Sequence, residues 1–426
     1  MADGSKSSPS AALAEAPKST GAVSRIVAAL GLLLRQREFR VVVLCATVMG
    51  LAVSFVVPFM SMFGTLEVGM SLGLFGAFMT INTVVNVVIS TVLANRSDTR
   101  YSRRTMLLVG SGAGALGYLG YAFARQPWQL MLIGSIVLGV ASLAFSQLFA
   151  LSRELLESSE VPPSDAPLYM NAIRMCFALS WTVGPAIAAA ALRVFSFKGL
   201  FLGAASLYAL FFWLTLRYVP ETGGSHSRAP AAESLGLGVW LRNPSLLAWF
   251  VAFVLILAAH TVSMSNMSLF VLKELGGTEG NVGIIFSLAP IFELPFMLYF
   301  GLLATRVESG KLIRVAMALA VVYYVALSCV KAPYQIYPLQ ILSAAIVSVT
   351  SGIAITFFQN KLPDRLGAAT NVYSNASRFG STSAYLLFAS SASRFGHRGT
   401  YVLCAVLAAL ALLLGSVPER REPKQA

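Results

Sequence analysis

The chain has 426 residues, of which 57% are hydrophobic and only 12% charged, and its formal net charge is +13. Soluble domains carry about 25% charged residues, so the two or three soluble domains that length alone would suggest are excluded. A basic balance in a soluble protein raises nucleic-acid binding, but here the basic residues are spread among short segments between apolar runs and form no single patch, which excludes that reading.

The first 40 residues form a tail. Residues 1–24 are rich in Ser, Ala, Pro and Lys and read as disordered. Residues 26–34 are apolar, but Arg35, Arg37 and Arg40 follow with no small-residue cleavage site, so they read as an interfacial helix and not a signal peptide. Twelve apolar runs then follow, near 41–63, 72–94, 106–124, 129–152, 169–192, 199–218, 246–270, 282–303, 313–330, 335–358, 369–393 and 400–417. Each is long enough, or nearly so, for the ~20 residues of a membrane-crossing helix. Backbone in lipid must satisfy its own hydrogen bonds, and no alternating barrel pattern is present, so the runs are helices.

The predicted fold is therefore an all-α integral membrane protein: a tail over 1–40, a six-helix bundle over 41–218, a linker over 219–245, a second six-helix bundle over 246–417 and a tail over 418–426. The linker holds Pro220, Gly223, Gly224, Pro230 and Pro244 with several serines, a composition that suits bundles moving relative to one another. A short amphipathic piece from Leu235 to Leu241 lies on the inner surface in this reading. Basic residues before span 1 (Lys6, Lys18, Arg25, Arg35, Arg37, Arg40) and after span 2 (Arg96, Arg100, Arg103, Arg104) place both termini in the cytoplasm. The loop expected after span 4 carries Arg153, Glu154, Glu157, Glu160 and Asp165; acidic residues weigh little in orientation. Cys45, Cys176, Cys329 and Cys404 lie within spans at no metal-ligand spacing and read as free thiols packed like small apolar residues.

The chain repeats itself. Tyr169-Met170-Asn171-Ala172-Ile173-Arg174 returns as Tyr373-Ser374-Asn375-Ala376-Ser377-Arg378. Leu93-Ala94-Asn95-Arg96 with Asp98 returns as Leu303-Ala304-Thr305-Arg306 with Glu308, and Arg104 as Arg314, at an offset of 210. Two echoes at nearly one offset imply two homologous halves. Charge in lipid is costly, and internal repeats with polar groups at bilayer depth mark a transporter.

The twelve spans, the central linker and the loop that sets Asp98 among arginines resemble the major facilitator superfamily. Four segments are similar to its sugar efflux transporter family: Ser146-Gln147-Leu148-Phe149-Ala150-Leu151-Ser152-Arg153-Glu154, Trp181-Thr182-Val183-Gly184-Pro185, Phe292-Glu293-Leu294-Pro295, and Phe358-Gln359 through Arg365-Leu366-Gly367-Ala368-Ala369-Thr370. The resemblance runs over roughly 41–417. Two family features are absent: the glycine that opens the loop pattern, near Ala94 or Asn95, and an acid near Asn266. The resemblance implies two pseudo-symmetric bundles around a cavity lined by spans 1, 2, 4, 5, 7, 8, 10 and 11. It implies a secondary active transporter of a bacterial inner membrane that exports sugars or glycosides by proton antiport with alternating access. Efflux of drugs or other amphiphiles is an alternative, since drug antiporters of the superfamily also carry Gly-Pro in span 5, as Gly184-Pro185 does here. A transporter-like solute sensor is a third reading.

Glu293 lies about midway along span 8. An ionised carboxylate at that depth is expensive, which suits an acid that takes up and releases a proton. A direct sugar ligand, or a hydrogen-bonded acid at the Pro295 kink, would use the same side chain. Arg174 can reach the membrane edge, whereas Arg378 lies deeper and should need an acceptor, Glu293 or a backbone carbonyl. Asn171 and Asn375 share their faces at helical spacing. Asn82, Asn86, Gln147, His260 and Asn266 are further polar candidates for substrate hydroxyls, or else links between helices. Trp181 could stack on a sugar ring or simply pack. Asp98, Arg104 and Glu308 are candidate gate groups, holding helix ends by ion pairs in one conformation and releasing them in another. No phosphate loop, metal-ligand cluster or nucleophile–base pair appears, so neither an enzyme nor an ATP-driven pump is indicated and no cofactor is expected. The expected partners are a small sugar, protons and the lipid bilayer, with the chain acting as a monomer.

Overall fold

The computed structural model describes residues 34–100, 102–159, 166–219 and 243–417, together with Gly31 and Glu221; for residues 91, 93–100, 167, 364 and 366 only the backbone is described. The proposed interfacial helix, most of the linker and both tails lie largely outside these residues.

Among the described residues every regular element is helical. In chain order they are α1 (Arg37–Glu67), α2 (Leu72–Arg100), α3 (Arg103–Phe123), α4 (Pro127–Glu157), the element Ala166–Tyr218 whose two arms are α5 and α6, α7 (Pro244–Lys273), α8 (Glu279–Leu303), α9 (Ser309–Cys329), α10 (Pro333–Lys361), and Leu366–Gly415 whose arms are α11 and α12. Ten of these elements are long and apolar enough to cross a membrane. The two longest bend at non-helical residues, Ser196 (φ 58°, ψ −171°) and Gly396 (φ 72°, ψ 178°), so each supplies two spans, which makes twelve among the described residues.

Local chemistry sets the helix starts. Ser102 Oγ accepts from the Thr105 amide at 3.2 Å at the head of α3, and Asn243 Oδ1 accepts from the Leu246 amide at 3.0 Å before Pro244 opens α7. Irregular turns interrupt two spans: α1 narrows to a 3-10 turn at Val57–Phe59 and widens to a π turn at Phe63–Glu67, and α4 carries a π turn at Ile133–Val137. α4 is longer than the hydropathy predicts. Arg153, Glu154 and Glu157, expected in a loop, form its last turns because Arg153 pairs with Glu157 at 2.8 Å across one turn.

The chain divides into two compact units, one of residues 1–57 and 85–226, the other of 58–84 and 227–426. In the first, α1 and α5 approach closely. A Cβ on Gly50 would lie 2.6 Å from the Phe177 carbonyl oxygen, and one on Gly184 would overlap Ser54. Ser180 completes the contact by donating to the Thr47 carbonyl at 2.9 Å. Phe39, Leu107, Leu148, Tyr169, Ile173 and Phe211 fill the core around it.

In the second unit, α7 packs on α11 and α12, with Gly380 so near α7 that a Cβ would sit 2.8 Å from the Val254 carbonyl oxygen. α8 pairs with α10, and α9 with α12. Residues 58–84, the end of α1 and the start of α2, belong here. Ser268 of α7 donates to the Pro58 carbonyl, Phe75 meets Phe388 edge-on at 6.3 Å, and a Cβ on Gly76 would lie 2.5 Å from the Ala389 Cβ. Of the four thiols, Cys45, Cys176 and Cys404 are buried as expected, while Cys329, at the very end of α9, is exposed.

Candidate membrane-embedded transport site

In the second unit α8 carries Glu293 between two prolines, Pro290 and Pro295, inside one continuous helix. Proline has no N–H to give the carbonyl four residues back, so the carbonyls of Phe286 and Ile291 lose their helical partners. The turn bearing Glu293 is therefore weakly tied from within. Its backbone carbonyl gains an outside donor, Ser348 Oγ of α10, at 3.0 Å. The half-buried carboxylate makes no hydrogen bond or ion pair among the described residues.

On α11, Asn375 and Arg378 are both exposed. The acceptor expected for Arg378 is not found: its guanidinium has no hydrogen-bonded or ionic partner among the described residues, because its face of α11 turns away from the α7 contact made by Gly380. His260 of α7 is half-buried and Asn82 of α2 is buried. Asn266 is fully buried and fully engaged. Its Nδ2 donates to the His397 carbonyl at 2.8 Å, so its Oδ1, 2.7 Å from His397 Nδ1, must accept. Its amide holds α7 to the start of α12. Beside it, Glu274 Oε1 accepts from the His397 and Arg398 amides at 2.7 and 3.2 Å, capping α12 from another helix.

The first unit arranges its candidates differently. Asn171 and Arg174 are exposed on one face of α5, and the Arg174 guanidinium lies over the Phe149 ring at 5.8 Å. Trp181 is half-buried one stretch further along α5. Gln147 is buried, and its Oε1 accepts from Arg103 Nη1 at 2.9 Å, while Arg103 Nε binds Glu154 at 2.8 Å. Arg103 thus ties the head of α3 to the foot of α4. Asn86 is pressed against Gly139 of α4, where a Cβ would be 2.8 Å from its Oδ1, and that oxygen has no donor among the described residues.

The candidate gate groups sit at helix ends. Arg104 donates to the Leu216 carbonyl at 2.8 Å and pairs with Glu221 at 2.9 Å, and Arg314 donates to the Gly415 carbonyl at 3.3 Å. The repeated arginines therefore do the same task, capping the last turns of α6 and α12. Glu308 pairs loosely with Lys311 at 3.7 Å. The Asp98 side chain lies outside those described.

Sequence reading missed Ser348, the Arg103–Glu154–Gln147 link and a third echo. Phe195-Ser196-Phe197-Lys198-Gly199 and Phe395-Gly396-His397-Arg398-Gly399 form the two bends, and the Phe-x-x-basic-Gly pattern was visible in the sequence. An apolar groove of about 520 Å³ on α3, α4 and α6, lined by residues such as Leu108, Gly112, Ile136 and Phe212, offers no side-chain hydrogen bond and does not suit a hydroxylated solute. Among the described residues no cluster of His, Cys, Asp and Glu could hold a metal ion.

The chain is similar to known proteins over most of its length. The chain is 34% identical over 390 residues to a putative sugar efflux transporter of Deinococcus radiodurans, covering 90% of this chain and 98% of that one. It is 31% identical to sugar efflux transporter A of Dickeya chrysanthemi, over 78% of this chain and 83% of the relative. The crystal structure of nucleoside transporter NupG shares the fold with a TM-score of 0.71 at 14% identity, over 88% of this chain and 96% of that one. The family model described as Major Facilitator Superfamily matches residues 42–384, and the chain belongs to that superfamily.

Proposed function

We propose that this protein is a secondary active transporter that exports sugars or glycosides across a bacterial inner membrane by proton antiport, with both termini cytoplasmic. The names of its two relatives support the sugar class. The observation that carries the coupling is Glu293, a carboxylate on a membrane-length helix with no partner among the described residues. Such a group changes charge at the least cost when proton uptake accompanies a change of surroundings. Alternating access supplies that change. The contacts of Pro58, Phe75 and Gly76 with α7 and α11 form a seam, and its parting is one half of the cycle. In each unit separately, exposed side chains can hydrogen-bond a polar solute: Asn171 and Arg174 in the first, Asn375 and Arg378 in the second.

Glu293→Gln keeps the shape of the side chain and removes its proton. In reconstituted vesicles, the variant should exchange sugar down its gradient but fail to concentrate it against one when a pH gradient is imposed. Undiminished accumulation by the Gln variant removes Glu293 from coupling. Loss of sugar binding by the purified variant, read as a lost thermal shift, makes Glu293 a sugar ligand instead.

A further inference from the structure

Hydroxyls in membrane helices usually donate to their own helix, three or four residues back. The chain follows that habit at Thr83, Ser111, Ser152, Thr215 and Thr350, each bonded to its own i−4 carbonyl at 2.6–2.9 Å. Ser348 departs from it. It lies on the same helix as Thr350 and is 1% exposed, yet it donates across to α8. The carbonyl it reaches belongs to Glu293.

That choice matters because of the two prolines. Pro290 and Pro295 remove two internal bonds from the stretch that holds Glu293. A helix with a depleted ladder takes its local geometry from its neighbours. One turn beyond Ser348, Gly352 keeps α10 close to α8, with Met297 Cε 3.8 Å from where a Cβ would stand. Toward the other end of the pair, Asn281 Nδ2 donates to the Tyr337 hydroxyl at 2.8 Å, so the tie at Ser348 lies between two further α8–α10 contacts.

We propose that Ser348 is a positioning residue for Glu293, fixing the proline-flanked turn so that movement of α10 and the environment of the carboxylate change together. The proposal rests on the assignment of Glu293 to proton coupling. Ser348 need not touch the sugar or the proton.

The test uses full-length protein in phospholipid vesicles with radiolabelled methyl glucosides and galactosides. Wild type, Ser348→Ala, Ser348→Cys, Ser348→Thr and Glu293→Gln are compared in equilibrium exchange and in accumulation driven by a pH gradient. Ser348→Ala should keep the exchange KM and lose about two- to tenfold in driven accumulation, the scale of one net hydrogen bond. Ser348→Cys, near in volume but a poor donor, should match it and serves where the Ala variant does not fold. Ser348→Thr, which keeps the hydroxyl, should restore coupling. Equal losses in exchange and accumulation, or no rescue by Thr, overturn the proposal in favour of simple packing. If Glu293→Gln uncouples transport while Ser348→Ala and Ser348→Cys remain fully coupled, Ser348 falls and the Glu293 assignment stands. If Glu293→Gln still concentrates the probes, or the wild type exchanges none of them, both fall.

Discussion

Ser196 occupies a backbone region, φ 58° and ψ −171°, that is open to glycine and costs other residues about 1–3 kcal/mol. The equivalent bend in the second half has Gly396 at φ 72° and ψ 178°. The bends match closely: Gly199 and Gly399 each face the preceding phenylalanine, and an added Cβ would lie 2.1 and 2.5 Å from the Phe195 and Phe395 Cβ atoms. Ser196 is exposed and its hydroxyl makes no hydrogen bond among the described residues, so its removal forfeits no contact. Ser196→Gly should relieve the strain and add about 0.5–1 kcal/mol of chain entropy to the unfolded state. The net expectation is a gain of about 0.5–2 kcal/mol. The mirror substitution, Gly396→Ser, should cost about 1–3 kcal/mol, because it imports the strain and sets a Cβ 3.2 Å from Glu274 Oε1. Equilibrium unfolding in mixed micelles measures both. A neutral or destabilising Ser196→Gly together with a silent Gly396→Ser refutes the argument, because the bend backbone would then carry no strain for glycine to relieve.

The repeated arginines give a second set of expectations. Arg378 is exposed and untied among the described residues, so Arg378→Ala should change stability by no more than about 0.5 kcal/mol. Arg174→Ala, which loses the Phe149 contact, should cost about 0.5–1 kcal/mol. Sugar affinity measured on the same samples then has a clear meaning: a loss beside an unchanged melting temperature assigns that arginine to the solute, and a melting collapse of Arg378→Ala contradicts its exposure. Gly76→Val should cost about 1–3 kcal/mol by overpacking the contact with Ala389 and the Tyr385 carbonyl. Gly73→Ala, with nothing within 4 Å of its Cβ, is the silent control in the same thermal melt.

Span positions were legible because lipid imposes one rule on every crossing segment. The breaks between spans 5 and 6 and between spans 11 and 12 were legible too, since Arg193 and Lys198, and Arg394 and Arg398, interrupt the apolar runs, but the backbone angles that turn the chain at Ser196 and Gly396 were not. Glu293 was legible for the same reason as the spans: a carboxylate within an apolar run stands out. Asn266 stood out equally, yet its amide is used up by His397, a partner 131 positions away that no local pattern reveals. Gln147 had the same fate through Arg103. An amide in a span thus advertises a hydrogen bond without naming who receives it.

The duplication separates the two kinds of residue. Much of what the halves share is architecture: Arg104 and Arg314 cap helix ends, and Lys198 and Arg398 lie over Phe123 and Phe270 beside the two bends, while the repeated Asn171/Asn375 and Arg174/Arg378 are exposed. The offset of 210, read between the ends of α2 and α8, carries Glu293 onto Thr83, which merely bonds back to the Met79 carbonyl at 2.8 Å. Glu293 thus has no ionisable counterpart at that position in the first half. Structural constraints inherited by duplication act on both copies alike, whereas one coupling acid is enough for one translocation path. If Glu293 is the coupling acid proposed above, its missing counterpart at Thr83 is what a single translocation path needs.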